Sequence, residues 1–174
     1  MRVTPTAIPE VLTIELDVFK DKRGFFMEIY HDKRYLEMGI DVAFVQDNLV
    51  SSVKGTLRGL HYQYPNAQAK FIQAIQGEIF DVAVDIRSDS PTFGKWTGEV
   101  LSDINKKQLF IPTGFAHGYC VLSNTALVAY RCSTFYSPED EKGILWSDPV
   151  LNIEWPFQNP LVSEKDQFLP TIKS

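Results

Sequence analysis

The sequence predicts an all-β domain of the sandwich, jelly-roll or barrel type, with short helices at its periphery. Apolar and polar residues alternate with the period of two that strands produce. The pattern is clearest in residues 78–87, where every second residue from Phe80 to Ile86 is apolar. Turn signals such as Lys54-Gly55 and Ser90-Pro91 separate these segments at short intervals. Many short strands with this spacing are typical of sandwiches, jelly rolls and barrels.

The order of the elements follows from the same patterns. The segments predicted as strands are residues 13–18, 25–30, 44–50, 57–63, 70–76, 78–87, 108–111, 118–122 and 126–132. Residues 32–38 predict a short helix, and Ser163 with Asp166 three positions later resembles a helix-capping box. The proline-rich end from Trp155 to Pro170 is expected to wrap the barrel as irregular chain. No repeat or linker divides the sequence, so residues 1–174 are expected to form one domain.

Composition limits the classes of partner. The chain has 174 residues, 44% of them hydrophobic and 13% aromatic, which is enough apolar material for one buried core. Its net charge of −5 argues against non-specific binding to nucleic acid, which requires a basic surface. No segment approaches the roughly 20 apolar residues of a membrane span, so no membrane partner is expected. The two cysteines are too few for a disulfide framework, and a cytoplasmic protein is expected.

The strand predicted at residues 78–87 carries two carboxylates, Asp81 and Asp85, on the face opposite its apolar one. Burying an ionised carboxylate without a partner is costly. These side chains therefore either face solvent or line a wet cavity, since a small antiparallel barrel can hold one ligand. The pattern leaves both alternatives open.

The three histidines, His31, His61 and His117, are the first candidates for chemistry. Taken one at a time, each is more often a surface or structural residue than a functional one. Metal sites in double-stranded β-helix barrels usually need two histidines one residue apart, and here Tyr62 and Gln63 follow His61. The sequence therefore predicts no metal centre.

Eight short motifs follow one another along nearly the whole chain. They are Asp21-Lys-Arg-Gly-Phe-Phe-Met-Glu28, Phe44-Val-Gln-Asp-Asn48, Leu57-Arg-Gly-Leu-His-Tyr-Gln63, Ala67-Gln-Ala-Lys70, Asp81-Val-Ala-Val-Asp-Ile-Arg87, Ile111-Pro-Thr-Gly-Phe-Ala-His-Gly118, Tyr136-Ser-Pro-Glu-Asp-Glu141 and Ile153-Glu-Trp-Pro156. In this order they resemble the dTDP-4-dehydrorhamnose 3,5-epimerase family. The resemblance implies a cupin-type jelly roll that uses no metal and no cofactor. It also implies an enzyme that epimerises a nucleotide-linked 4-keto-6-deoxy sugar.

The resemblance further implies a division of labour among four residues. A ketone at C4 acidifies the hydrogens on C3 and C5, because the resulting carbanion delocalises into an enolate. His61 is expected to be the base, with Asp166 fixing its tautomer. Lys70 is expected to stabilise the enolate oxygen, and Tyr130 to return the proton from the opposite face. Taken alone, these residues have plainer alternatives: Asp166 as a helix cap, Lys70 as a solvated lysine and Tyr130 as a half-buried barrel tyrosine.

Further positions match family residues that bind the nucleotide sugar. They are Arg23, Phe26, Glu28, Gln46, Asp47, Asn48, Arg58, Lys70, His117, Tyr136, Glu141 and Lys165. Arg23 and Arg58 suit the diphosphate, because a guanidinium binds oxyanions in a bidentate manner. Phe26 and Tyr136 are candidates to stack on thymine. His117 is also a candidate to form a second histidine–carboxylate pair, with Asp81.

The resemblance also implies a homodimer, in which residues 23–28 of one copy reach the cleft of the other. Two details of the sequence complicate the site. Arg58 and His61 are three positions apart, so a regular strand would place them on opposite faces. A bulge at Gly59 would restore a single face; otherwise Arg58 serves another part of the cleft or a structural ion pair. Phe135 precedes Tyr136 where many relatives carry two adjacent tyrosines, which could alter specificity.

The leading prediction is an enzyme of this family that inverts both C3 and C5 of dTDP-4-dehydro-6-deoxy-D-glucose, for dTDP-L-rhamnose biosynthesis. The motifs do not separate it from enzymes that invert C3 alone. A non-catalytic nucleotide-sugar binding module is a second alternative, which would keep Arg23 and Arg58 but need neither His61 nor Tyr130. A metal-dependent cupin oxygenase or isomerase is the third.

Overall fold

Strands make up most of the regular structure of residues 1–172, the part of the chain that the computed structural model describes. In chain order they are β1 (Arg2–Pro5), β2 (Leu12–Glu15), β3 (Val18–Asp21), β4 (Gly24–Met27), β5 (Gln46–Val53), β6 (Thr56–Gln63), β7 (Lys70–Gln76), β8 (Glu78–Asp85), β9 (Trp96–Ser102), β10 (Lys107–Ile111), β11 (Phe115–Val121), β12 (Thr125–Cys132), β13 (Glu141–Gly143) and β14 (Leu161–Val162). Two short helices, α1 (Asp32–Glu37) and α2 (Glu164–Gln167), lie outside the sheets.

The strands form two facing sheets and one separate hairpin. The first sheet has the order β1-β2-β10-β7-β12-β5, and the second has the order β13-β6-β11-β8-β9, with the short β14 pairing in parallel with β6. Strands β3 and β4 form a hairpin of their own. All the other pairings are antiparallel, as in a jelly roll, and neighbours in the sheets are often far apart in sequence. The prediction of an all-β jelly roll with peripheral helices is confirmed.

The space between the sheets is apolar on one side of the barrel and polar on the other. Inward-facing residues of both sheets form a buried cluster that includes Ile72, Ile79, Leu109, Val121 and Val128. Tyr119 and Tyr130 belong to this cluster and also line a cavity of ≈ 690 Å³. The apolar cluster therefore forms the floor of the cavity.

The two faces of β8 have different surroundings, as its alternation predicts. Val82 and Val84 are fully buried on the outer face, where Leu151 and Trp155 of the C-terminal segment cover them. Most of that segment is irregular, as predicted, apart from β14 and α2. Asp81 and Asp85 lie on the opposite face, and both are 0% exposed. Because each has a hydrogen-bonded partner, neither needs to face solvent.

Several predicted strand boundaries were wrong. Residues 13–18 are not one strand, because the chain leaves β2 after Glu15 to start the separate hairpin at Val18. The strand predicted at 25–30 ends at Met27, and the one predicted at 118–122 begins already at Phe115. The prediction also missed β1, β9, β13 and β14, and it contained only the first residue of β3. The alternation of β9 is weak, yet β9 pairs with β8 over its whole length; β1 is an edge strand that contains arginine and proline, as edge strands often do.

The peripheral helix α1 covers the outer face of the first sheet. Tyr35 of α1 is buried among Ile14, Phe71 and Phe110, and its ring lies 5.1 Å from that of Phe71 in an edge-to-face arrangement. Within residues 1–172, no helix has the length and apolar character needed to cross a membrane.

Candidate active site

A histidine–carboxylate pair occupies one wall of the cavity. His61 projects inward from β6, and its Nε2 lies 2.7 Å from Oδ1 of Asp166, at the start of the C-terminal helix α2. Ser163 caps this helix by accepting a hydrogen bond from the backbone N–H of Asp166 at 3.2 Å. The cap is therefore Ser163, and the carboxylate of Asp166 remains free to orient the imidazole.

The surroundings of Asp166 favour its ionised form. Its side chain is only 4% exposed, and burial alone would raise the pKa of the carboxyl. Hydrogen bonds from His61, the backbone N–H of Gly59 and Ser163 outweigh burial and lower the pKa below its ordinary value. An ionised Asp166 holds a proton on the facing nitrogen of His61, which leaves the other ring nitrogen free to act as a base.

A bulge in β6 brings Arg58 into the same cavity as His61. His117 of β11 lies opposite His61, whereas Tyr119 lies opposite Arg58, so β6 contains one more residue than β11 between these two pairings. Gly59 adopts a φ of +125°, and a Cβ there would lie 2.5 Å from the Cα of Gly118. The predicted bulge is present, and both side chains line the cavity.

Lys70 and Tyr130 form the facing wall. They lie on the neighbouring strands β7 and β12, and both line the cavity with His61. Burial lowers the pKa of Lys70, although Cys132, Asp81 and Glu141 partly oppose this effect. Burial raises the pKa of Tyr130, so its phenol remains protonated at neutral pH. This wall thus carries a proton donor and a lysine amine, which donates a hydrogen bond to the backbone carbonyl of His61 at 3.4 Å.

The second histidine–carboxylate pair is present at the back of the cavity. Nε2 of His117 lies 3.0 Å from each carboxylate oxygen of Asp81, and both residues are buried. Burial lowers the pKa of His117 despite the nearby carboxylate. The neutral imidazole is therefore favoured, which suits a hydrogen-bonding role rather than a cationic one.

A second, smaller cavity of ≈ 300 Å³ shares His61, Lys70 and Tyr130 with the first. A chain of polar contacts lies along it. The Tyr136 hydroxyl donates to Glu141 at 2.8 Å, and Glu141 pairs with Lys165 at 2.5 Å. The backbone N–H of Tyr136 donates to Gln46 at 2.9 Å, and Gln46 in turn donates to Asn48. The predicted binding residues of β5, β13 and α2 therefore meet beside the histidine.

Four predicted binding residues lie outside these cavities in the single chain. Arg23 and Phe26 belong to the separate hairpin, where Arg23 pairs with Asp21 at 2.6 Å. Glu28 pairs with Arg34 at 2.8 Å. Asp47 faces the outside of β5 because Gln46 and Asn48 face inward, and it pairs with Arg131 at 3.2 Å. Strand alternation places Asp47 on the opposite face from Gln46 and Asn48, but it does not show which of the two faces points into the barrel.

Sequence reasoning also missed residues that line the larger cavity. They include Val50, Ser52, Tyr119, Leu161 and Ser163. Tyr119 shares the inward face of β11 with His117, two residues earlier, and Ser52 shares the inward face of β5 with Asn48. The period of two would have indicated both, once the inward direction of one residue on each strand was known.

No group of three or more His, Cys, Asp and Glu side chains within residues 1–172 is arranged to hold a metal ion. The two cysteines, Cys120 and Cys132, are free and buried. Cys132 lies beside Lys70 in the pairing of β12 with β7, and burial raises the pKa of its thiol.

The fold and this arrangement define the class of protein: a jelly-roll enzyme that transfers protons. One wall of its cavity carries the His61–Asp166 pair, and the other carries the protonated Tyr130. The family model described as dTDP-4-dehydrorhamnose 3,5-epimerase matches residues 5–174. The chain belongs to this family, and the predicted resemblance is confirmed. Like the other members, it is an isomerase with a cupin-type jelly-roll fold.

Individual relatives agree with this assignment. The dTDP-4-dehydrorhamnose 3,5-epimerase of Shigella flexneri is 59% identical over 95% of this chain and 93% of its own length. The crystal structure of dTDP-6-deoxy-D-glucose-3,5-epimerase from Legionella pneumophila, in complex with dTDP-4-keto-L-rhamnose, superposes with a TM-score of 0.96. It is 48% identical, covering 98% of this chain and 92% of that one. A more distant relative, the dTDP-4-dehydrorhamnose 3-epimerase of Streptomyces niveus, is 39% identical over 96% of this chain and 82% of its own length.

Proposed function

We propose that this enzyme inverts both C3 and C5 of dTDP-4-dehydro-6-deoxy-D-glucose, yielding the keto precursor of dTDP-L-rhamnose. The observation that carries the proposal is the placement of His61 with Asp166 on one wall of the cavity and Tyr130 on another. Inversion at a carbon next to a ketone needs a base on one face of the sugar and an acid on the other. The higher identity to double epimerases than to a 3-epimerase favours inversion at both carbons.

His61 removes the proton from the carbon next to the ketone. Asp166, hydrogen-bonded to one ring nitrogen, fixes the tautomer and stabilises the imidazolium that forms. The C–H electron pair becomes part of an enolate whose charge develops on the C4 oxygen. Lys70 stabilises that oxygen electrostatically, and its effect is strong because the ammonium lies in a largely desolvated wall.

Tyr130 completes each inversion by protonating the enolate carbon from the face opposite His61. Burial keeps its hydroxyl protonated, and hence ready to donate. His61 loses its acquired proton and Tyr130 regains one through exchange with solvent. Applying the same cycle to C3 and then to C5 requires the sugar to present each carbon between the same two groups.

Cations and an aromatic ring next to the cavity suit the nucleotide half of the substrate. Arg58 lines the cavity within reach of a diphosphate, and Lys165 lies at its rim. Tyr136 is 51% exposed and held by Gln46 and Glu141, so its ring is available to stack on thymine. His117 is placed to hydrogen-bond the sugar.

The hairpin residues complete the site from a neighbouring copy in a homodimer. Arg23 and Phe26 lie on the projecting hairpin β3–β4, and Phe26 is 68% exposed. We propose that these residues and Glu28 contact the nucleotide bound by the partner, since they do not enter the cavities of their own chain. We further propose that the chain acts as a single cytoplasmic domain and needs neither a metal nor a cofactor.

The decisive experiment is turnover of dTDP-4-dehydro-6-deoxy-D-glucose in deuterium oxide, followed by NMR of the sugar. The proposal requires deuterium at both C3 and C5 of the product. Deuterium at C3 alone would identify a 3-epimerase instead. Absence of any exchange above the uncatalysed rate would leave a non-catalytic binding module as the function. Loss of activity to chelators, with stoichiometric metal in the protein, would point to a metal-dependent cupin.

A further inference from the structure

The hydroxyl group of Tyr119 is a buried polar group that the proposed mechanism does not use. Tyr119 lies on β11 two residues after His117, so both side chains point into the barrel. It is 4% exposed, and its ring packs in the apolar cluster on the cavity floor. Within residues 1–172, no donor or acceptor forms a hydrogen bond with its hydroxyl.

This isolation is unusual, because buried polar groups in native proteins nearly always have a hydrogen-bond partner. Ser52 is a neighbouring hydroxyl that partly opposes the rise which burial causes in the pKa of Tyr119, but no hydrogen bond of normal geometry joins the two side chains, and the Ser52 oxygen accepts one from Nε of Arg58 at 3.1 Å. Two other described residues have an unpartnered buried atom: His31 at Nδ1 and Gln73 at Nε2. Of the three, Tyr119 is the one that lines the cavity holding His61. A phenylalanine would fill the same space without burying an unpaired hydroxyl, so the hydroxyl calls for a partner that enters the cavity.

The electrostatic surroundings of the hydroxyl indicate what that partner is. Burial raises the pKa of Tyr119 to about 12, so the group is a donor at neutral pH. The guanidinium of Arg58 is close enough to favour negative charge at this position, and Arg58 is the residue opposite Tyr119 in the β6–β11 pairing. The nearby carboxylate of Asp81 is already bound by His117. A protonated phenol beside an arginine suits an anionic oxygen.

We propose that Tyr119 is a further substrate-binding residue, whose hydroxyl donates a hydrogen bond to a diphosphate oxygen of the nucleotide sugar, beside Arg58. This inference rests on the proposed function and names a contact that deepens it. The diphosphate supplies the acceptor that the free protein lacks. The contact adds binding energy at a non-reacting part of the substrate, so it acts on affinity rather than on the proton-transfer step.

The test is the substitution Tyr119→Phe, which removes only the hydroxyl. Calorimetric titration with dTDP should show a dissociation constant raised roughly ten-fold, as expected for loss of a hydrogen bond to a charged group. Affinity for thymidine, which has no diphosphate, should not change.

In turnover by Tyr119→Phe, KM should rise while kcat stays within about two-fold of wild type, the pattern expected when binding is lost uniformly. The melting temperature of the free variant should equal or exceed that of wild type, because an unpaired buried hydroxyl is gone.

Tyr64→Phe is the matched control, since Tyr64 is 69% exposed and lies outside both cavities that contain His61. It should leave dTDP affinity, KM and melting temperature unchanged. Wild-type affinity for dTDP in Tyr119→Phe would overturn the inference, even if KM for the sugar nucleotide rose, because the contact would then be to the sugar. A fall in melting temperature without a change in dTDP affinity would also overturn it and make the hydroxyl structural. The dTDP titration does not depend on turnover, so it distinguishes failure of this inference from failure of the proposed epimerisation.

Discussion

At the scale of single residues, His61 and Tyr130 differ in the step that each performs, so their loss should differ in kind. His61→Ala should abolish both epimerisation and deuterium exchange, because no enolate forms. Tyr130→Phe keeps the ring but removes the acid, so exchange at the abstraction face should continue while net inversion falls by roughly 10²–10⁴-fold. NMR of the sugar in deuterium oxide measures exchange and inversion in one experiment.

One outcome for Tyr130→Phe would remove Tyr130 from the catalytic residues. Tyr130 packs against the interior apolar cluster, so a purely structural role is the alternative to catalysis. If Tyr130→Phe left inversion intact, the proton donor would have to be another group, and Tyr136 or a bound water would be the next candidates. The exposed Tyr64→Phe variant again controls for effects of losing any tyrosine hydroxyl.

At the scale of elements, the bulge in β6 determines whether Arg58 and His61 can share a cavity. Gly59 is suited to the bulge because it has a positive φ and because a Cβ would meet the backbone of β11, 2.7 Å from the carbonyl oxygen of His117. Gly59→Ala should therefore destabilise the protein and separate the two side chains. We expect a lower melting temperature together with weaker dTDP binding. Gly94→Ala, at a positive φ but with open space around it, is the control for backbone conformation alone. Equal losses in the two variants would argue against a special role for the bulge.

The turn after β8 is fixed by the buried carboxylate of Asp85. It accepts hydrogen bonds from Arg87, Ser90 and Thr92, each at 2.6 Å to Oδ2. Burial alone would raise the pKa of Asp85, but these hydrogen bonds outweigh it and hold the pKa far below its ordinary value. A depressed folded-state pKa means that the ionised group stabilises the fold above its unfolded pKa of about 4. This stabilisation is lost as the pH falls from there toward the folded-state value.

We therefore expect Asp85→Ala to lower the free energy of unfolding by about 3 kcal/mol at pH 7, because a buried ion pair loses one partner. The difference from wild type should be constant at neutral pH and shrink below about pH 4. Urea unfolding at a series of pH values measures it. Asp89→Ala, on the same turn but exposed, should change stability by less than about 0.5 kcal/mol. A difference that did not vary with pH would show that the charge of Asp85 is not what stabilises the turn.

At the scale of the whole molecule, the projecting hairpin is the feature that a single chain leaves unexplained. Phe19, Phe25 and Phe26 are 64%, 54% and 68% exposed, and clustered apolar exposure of this kind is typical of interaction surfaces. We expect light scattering to give the mass of a dimer. Replacing Phe19 and Phe26 together by aspartate should weaken both dimerisation and dTDP binding.

A matched variant distinguishes an effect of the hairpin residues from the effect of placing an aspartate anywhere on the surface. Ile104 is 87% exposed and lies outside the hairpin, so Ile104→Asp should change neither the mass nor the affinity. A monomer mass for wild type, with full activity retained at nanomolar concentration, would contradict a site shared between two copies.

The sequence by itself determined the class of fold and most of the site. Alternation with a period of two and frequent turn signals were enough to predict an all-β sandwich, jelly roll or barrel, because both are local consequences of strand geometry, and the family resemblance narrowed this to the jelly roll. The order of the motifs was enough to predict the family, and Gly59 indicated the bulge. Ser163 indicated the start of α2, since helix capping depends on residues only three positions apart.

Only the tertiary structure decided which face of each strand points inward and which distant residues meet. Periodicity shows that Asp47 and Asn48 differ in face, but it does not say which of them enters the barrel, because that depends on the facing sheet. His61 and Asp166 are 105 residues apart, and their hydrogen bond exists only because α2 packs beside β6. The separation of β2 from β3, the burial of Asp81 and the isolation of the Tyr119 hydroxyl have the same origin. Each depends on packing between segments distant in sequence, and local patterns carry no information about such packing.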